Sequence, residues 1–266
     1  MTTADRHDHW GAGQPYEAYM GRWSRLIAVQ FLEWLNPAPG LRWLEMGCGT
    51  GALTDTILMR ANPASIRAVD ASEAFVQYAR AHIRDPRVSF HVGNATDEPD
   101  MPGGVDIAAS ALMLNFVPEP VAALRALRHA VAPGGTLAFY VWDYPGRMDL
   151  LRYFWDSAVA LQPDARIHDE AVRFSWCRRE PLADLSVQAG VRDVEVTILD
   201  AVRRFAAFED VWEPLLGGQG PVPRYVSQLS DVDRVALRDE VRRRLPIQSD
   251  GAFELVARAW AVRAIC

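Results

Sequence analysis

Glu45-Met46-Gly47-Cys48-Gly49-Thr50-Gly51 combines an acid with three alternating glycines, directly after the apolar run Leu41-Arg42-Trp43-Leu44. A glycine has no Cβ, so the backbone can turn sharply and a ligand can lie against it. Leu53, Ile57 and Leu58 follow at helical spacing, so the loop opens a helix whose first N–H groups lack intrahelical partners and can face that ligand. The next apolar run, Ile66-Arg67-Ala68-Val69, ends on Asp70. A carboxylate at that tip can accept hydrogen bonds from both hydroxyls of a ribose. Strand, glycine turn, helix, strand, acid is the order of a nucleotide-binding βαβ unit.

Residue types also exclude chemistry. All 28 basic residues are arginine and lysine is absent, which removes Schiff bases, the lysine of a phosphate loop and the Tyr-x-x-x-Lys dehydrogenase pair. Gly47, Gly49 and Ala52 also satisfy the dinucleotide spacing G-x-G-x-x-G/A, so a nicotinamide-dependent oxidoreductase stays open at this point. So does a non-catalytic ligand-binding protein on the same fold. The three cysteines, Cys48, Cys177 and Cys266, are too scattered for a zinc site or a disulfide framework. No metal is expected, and the polar stretch 1–14 with His7 and His9 reads as a solvated tail.

With a net charge of −6, nucleic acid is not an expected partner, because polyanion binding normally shows as a basic face. Arg242-Arg243-Arg244 reads as the solvated end of a helix. No apolar run approaches the ~20 residues of a membrane span, and no targeting segment is visible. A cytoplasmic protein with a small-molecule partner is expected, in an oligomeric state that the sequence leaves open.

The elements that must hold these residues follow from spacing and punctuation. Pro15 to Leu35 reads as a helix with Tyr16, Tyr19 and Trp23 on one face, stopped by Asn36-Pro37-Ala38-Pro39-Gly40. Ser72 is placed to cap a helix running to about Arg84. Val88 to Val92 and Val105 to Ser110 read as strands. A helix from Pro118 carries Val121, Leu124, Leu127 and Val131 at core spacing, and Pro133-Gly134-Gly135 turns into a strand over 136–142. Five strands alternating with helices imply a parallel sheet covered on both faces. Right-handed crossovers then bring every strand-to-helix loop to the carboxyl edge. Further on, helices are predicted over 147–161, 180–189, 208–216 and 230–245, and strands over 191–199 and 253–265.

Together with Asp70-Ala71-Ser72, Gly93-Asn94-Ala95, Asp106 to Asn115 and Pro133-Gly134-Gly135, the glycine segment resembles class I S-adenosylmethionine-dependent methyltransferases. The resemblance is to their small-molecule branch, the ubiquinone/menaquinone-type, methyltransferase type 11-like enzymes, and it covers about residues 41–142. It implies a doubly wound α/β fold: a mostly parallel, seven-stranded Rossmann-like sheet with an antiparallel last strand and a helical lid. Residues 1–40 would form an N-terminal helical cap and 41–142 the cofactor-binding core. The lid and substrate region would span 143–250, including the sixth strand (191–199), and 251–266 the final strand.

The implied cofactor is S-adenosylmethionine, leaving as S-adenosylhomocysteine. Gly47, Gly49 and Gly51, with the backbone near Met46 and Cys48, would line its methionine part and ribose. Asp70 would hold the ribose hydroxyls, Ala71 would lie against the adenine, Asn94 and Ala95 at the adenine edge, and Ser110 on the methionine part. Many relatives carry aspartate where this chain has Asn94; Asp97 reads as a loop residue. Tyr16 to Trp23 resembles the helix that closes over the cofactor, with Tyr19 and Arg22 toward the methionine carboxylate.

A sulfonium methyl is already activated, and positioning alone can supply roughly 7–11 kcal/mol of barrier reduction in favourable cases. A base is needed only for a hydroxyl or a cationic amine acceptor. His168, Asp143 and Tyr144 are the weak candidates for it, His129 reads as structural, and no catalytic residue is assigned. Residues 142–225 hold 11 of the 26 aromatic side chains. An aromatic or otherwise apolar small acceptor fits that excess, and Gly217 to Pro221 reads as a helix connection.

Overall fold

The computed structural model describes residues 17–98, 101–217 and 220–266. His7, His9, Tyr16 and the middle of the 217–221 turn lie outside them. Seven strands form one sheet: β1 (Arg42–Met46), β2 (Ser65–Asp70), β3 (Val88–Val92), β4 (Val105–Ala111), β5 (Val131–Trp142), β6 (Arg192–Phe205) and β7 (Phe253–Ile265). Their order is β3-β2-β1-β4-β5-β7-β6. β7 pairs antiparallel with both β5 and β6, and the other pairings are parallel. The chain thus adopts the doubly wound α/β architecture with an antiparallel last strand.

Local chemistry explains the punctuation. After a single π-helical turn, Glu17–Gly21, helix α1 (Arg22–Leu35) ends at Asn36 in the left-handed conformation, φ 46°. Helix α2 (Ala52–Ala61) ends the same way at Asn62, φ 43°. Asparagine tolerates that conformation better than most residues, so both helices stop where the strand must begin. Helix α3 (Glu73–His82) starts on Ser72, whose hydroxyl accepts the Phe75 N–H. Helix α4 (Pro120–Ala130) carries proline in its first turn, where the missing N–H costs nothing. α1 packs on α2 and on β6 and β7, while α4 packs on β1, β4 and β5 and on α7 (Arg179–Gln188).

Two strands are longer than their sequence suggests. β5 begins at Val131, paired with Val105 ahead of a register irregularity, so Val131 leaves the helix and the Pro133-Gly134-Gly135 segment lies inside the strand. β6 continues past Leu199 to Phe205, opposite Phe253. Asp200 and the arginines after it look like a strand's end, yet Asp200 sits across from Arg258 and accepts both Nε (2.7 Å) and Nη2 (2.8 Å) of its guanidinium. Glu195 is matched to Arg263 in the same way, at 2.8 Å. These cross-strand pairs let a charged sequence stay in the ladder.

Between β5 and β7 lie α5 (Asp149–Leu161), a 3-10 segment (Pro163–His168), α6 (Glu170–Arg173), α7, β6, α8 (Glu209–Trp212), a second 3-10 segment (Glu213–Gly217), α9 (Pro221–Gln228) and α10 (Asp231–Arg244). Spacing alone missed 163–173 and α9. Arg242, Arg243 and Arg244 form the last turn of α10, engaged by Glu209 and Glu240. Among the described residues, no helix is long and apolar enough to cross a membrane.

Candidate functional site

In an open α/β sheet the crevice lies outside the carboxyl ends of the strands where their order reverses. Here that point is β1, flanked by β2 and β4, with Met46 in register with Val69 on one side and Ser110 on the other. The glycine loop folds back over β2: the N–H groups of Gly47 (2.7 Å) and Cys48 (3.0 Å) donate to the Val69 carbonyl. Gly49 N–H donates to Asp70 Oδ2, and Ser72 N–H to Asp70 Oδ1, each at 2.8 Å. Both carboxylate oxygens are thereby aimed, and each keeps a lone pair for a further donor. Burial raises the Asp70 pKa, with the two backbone donors pulling the other way.

The three glycines do different work. All have positive φ: 80° at Gly47, 52° at Gly49 and 92° at Gly51. A Cβ on Gly47 would lie 2.5 Å from Met113 Cβ, and one on Gly51 2.5 Å from Ile83 Cδ1. A Cβ on Gly49 would meet no other heavy atom within 4 Å. The chain itself fills the space at the outer two, so the open position beside Asp70 is Gly49.

Glu45 is fully buried on β1, where Thr54 Oγ1 donates to its Oε2 at 2.5 Å and Oε1 has no hydrogen-bond partner. Burial pushes its pKa from the usual 4.5 up to about 8. Between β5 and β6, burial likewise pushes Glu170, which accepts the Trp155 indole N–H, up to about 7. The folded state therefore holds protons that the unfolded chain has released. Stability should fall as pH rises from about 4.5 and level off only above about 8. Glu45→Gln, isosteric and uncharged, should flatten this decline, so its melting temperature should gain on the wild type between pH 5 and 8.5. Parallel profiles would show that Glu45 does not titrate in this range.

The loop after β4 closes the other side. Leu112 has φ 56°, a conformation rare for a bulky residue and found where surrounding structure enforces it. Its N–H donates to the Tyr140 carbonyl at 2.8 Å. The turn carries Met113 over Gly47 and buries Asn115, whose Nδ2 donates to Tyr144 Oη at 3.1 Å. Around that pair the ring of Phe174 lies 5.0 Å from Tyr144 and 5.4 Å from Phe116. Asn115 is not among the residues singled out from the sequence. Its signal is a lone amide inside Leu112-Met113-Leu114-Asn115-Phe116-Val117 at the end of a strand.

The other candidates are placed as follows. Met46, Cys48 and Ser110 are buried at the strand ends, burial holds the Cys48 thiol well above its usual range, and Ser110 Oγ has no hydrogen-bond partner. Ala71 and Asn94 are exposed and Ala95 half-buried. Asp97 accepts the Asn94 N–H at 2.9 Å and its Nδ2 at 3.3 Å, so it folds the loop. Tyr19 is buried in the core. Arg22 Nη1 donates to the Asp210 carbonyl at 3.1 Å, and its pKa is lowered by burial and by Arg203.

Asp143 is buried and accepts the Arg147 N–H at 3.2 Å, holding the turn after β5. His168 is exposed, 5.6 Å ring to ring from Tyr225, its pKa lowered by partial burial, Arg173 and Arg224. His129 is exposed and bonded to Glu98 at 2.8 Å. Of the three candidate bases, Tyr144 is the one hydrogen-bonded to the β4 loop. A groove of about 540 Å³ involves α5, 163–173 and the end of α10, and none of its lining residues belongs to the glycine loop. Ser110 Oγ and Glu45 Oε1, both buried without a partner, and the open Gly49 lie at the strand ends. Among the described residues no group of three or more His, Cys, Asp or Glu could hold a metal ion.

A family model described as a methyltransferase domain matches residues 44–135. The ubiquinone biosynthesis O-methyltransferase of Azotobacter vinelandii is 33% identical over 166 residues, 59% of this chain and 71% of that protein. An uncharacterized 37.1 kDa protein in a Streptomyces fradiae transposon is 29% identical over 206 residues, 74% of this chain and 55% of that protein. Phosphoethanolamine N-methyltransferase 2 of Haemonchus contortus, solved with S-adenosyl-L-methionine, shares the fold at a TM-score of 0.60 and 16% identity, over 95% of this chain and 56% of that one. Several curated relatives are thus spanned over about half their length, 55% and 47% in two cases.

Proposed function

The chain belongs to the class I S-adenosylmethionine-dependent methyltransferases, and we propose that it moves a methyl group from S-adenosylmethionine to a small molecule with an aromatic or otherwise apolar body. The observation that carries this reading is Asp70, fixed at the β2 tip beside the open Gly49. The residues at the strand ends suit the cofactor, since Ser110 Oγ and Glu45 Oε1 are buried polar atoms without partners and Gly49 leaves room for a ligand. When bound, S-adenosylmethionine supplies an activated methyl group on its sulfonium.

In this reading Asp70 accepts the ribose hydroxyls, and Gly47, Gly49 and Gly51 with the backbone of Met46 and Cys48 run along the ribose and methionine. Ala71, Asn94 and Ala95 frame the adenine. Ser110 contacts the methionine part, and Tyr19 with Arg22 turns toward its carboxylate; Arg22 keeps donors beyond the one given to Asp210. The segment 143–250 serves as the lid, with Tyr144 and Phe174 on the acceptor side. Catalysis is dominated by positioning, so no base is assigned. Three unpaired cysteines suit a reducing compartment, and we place the protein in the cytoplasm.

The nicotinamide reading shares the βαβ unit, but its Tyr-x-x-x-Lys chemistry has no lysine to use. A binding comparison of S-adenosylhomocysteine with NADH separates the two: stabilisation by the first alone is expected, and stabilisation by NADH alone would overturn the proposal.

A further inference from the structure

Resting on the methyltransferase reading, we propose that Asn115 is the heart of the acceptor subsite, its Oδ1 accepting a hydrogen bond from a hydroxyl or amine N–H of an aromatic acceptor. Asn115 is 4% exposed. Its Nδ2 is committed to Tyr144 Oη at 3.1 Å, and its Oδ1 is buried without any partner. A buried carbonyl oxygen left unpaired is costly, and an apolar residue of the same size would avoid that cost. The loop is anchored upstream, where Leu112 in the left-handed conformation donates its N–H to the Tyr140 carbonyl.

What surrounds the pair fixes the class of ligand. Phe116, Tyr144 and Phe174 present aromatic rings to one another, and a planar apolar ring packs well in such company. The unmet demand of Asn115 Oδ1 is for a donor. A hydroxyl or neutral amine meets it through its hydrogen while keeping a lone pair on the same atom, as a methyl acceptor requires. A carbon acceptor carrying no O–H or N–H leaves Oδ1 unpaired. Ser110 Oγ, also buried and unpartnered at the end of β4, marks the cofactor side of the same edge.

The test uses the full chain saturated with S-adenosylhomocysteine and three probes of one size: phenol, aniline and toluene. The side-chain amide resonance of Asn115 is identified by its loss in Asn115→Leu. Phenol and aniline should shift it and bind about tenfold tighter than toluene, the worth of one such hydrogen bond. Asn115→Leu should lose that preference while keeping its affinity for S-adenosylhomocysteine. Equal binding of toluene, no shift with phenol, or a preference that survives in Asn115→Leu overturns the proposal. Should that variant not fold, phenol against toluene on the wild type decides. Absence of S-adenosylhomocysteine binding would be a failure of the methyltransferase reading, and the probe preference is scored separately from it.

Discussion

Asp70→Asn should weaken S-adenosylhomocysteine binding by about 30-fold or more while the protein stays folded. The carboxylate is held by Gly49 and Ser72, so its free lone pairs are pre-aimed when a ribose arrives. Hydrogen bonds to a charged group are worth about 1.5–3 kcal/mol each. Losing about 2 kcal/mol corresponds to roughly 30-fold in affinity. Asparagine keeps one oxygen for a backbone N–H, and burial already raises the Asp70 pKa, so the charge adds little to stability. Calorimetric titration with a parallel melting curve checks both halves. An unchanged dissociation constant would mean that the ribose lies elsewhere.

The second large effect separates two glycines that look alike in sequence. Gly47→Ala combines positive φ with a Cβ 2.5 Å from that of Met113, so it should be a folding lesion. Left-handed backbone costs about 1–2 kcal/mol and overpacking about 1–3, which at this chain size lowers the melting temperature by roughly 5–15 °C. In Gly49→Ala only the backbone cost of about 1–2 kcal/mol applies, since the methyl meets nothing within 4 Å. That methyl occupies the space given to the cofactor. Gly49→Ala should therefore lose at least about tenfold in S-adenosylhomocysteine affinity, equivalent to ~1.4 kcal/mol, with a smaller loss of melting temperature than Gly47→Ala. The reverse order of melting temperatures would contradict this assignment of the loop.

Much of this arrangement was legible from residue types. Glycine, asparagine and serine at helix ends obey local rules, so the Ser72 cap and the stop at Asn36 needed no tertiary information. Parallel strands buried in the sheet read as apolar runs, and β1, β2 and β4 were visible for that reason, whereas β3, largely exposed at the sheet edge, showed by its alternation. Where a residue's behaviour depends on a distant partner, spacing was silent. β6 was cut short because Asp200 looks like a terminator until Arg258 stands across from it. That a Cβ at Gly47 or Gly51 would collide with Met113 or Ile83, while one at Gly49 would not, depends on residues far along the chain and could not be read from the motif. Asn115 passed as one polar residue in an apolar stretch, because its partner Tyr144 comes 29 positions later.

A crevice at β1 and β4 that receives S-adenosylmethionine should show itself in thermal denaturation of the wild type with product or dinucleotide. A ligand at 100 times its dissociation constant stabilises the fold by ~2.7 kcal/mol, roughly 5–10 °C for a chain of this size. S-adenosylhomocysteine should give a shift of that order and NADH none. A shift with NADH and none with S-adenosylhomocysteine would contradict the account.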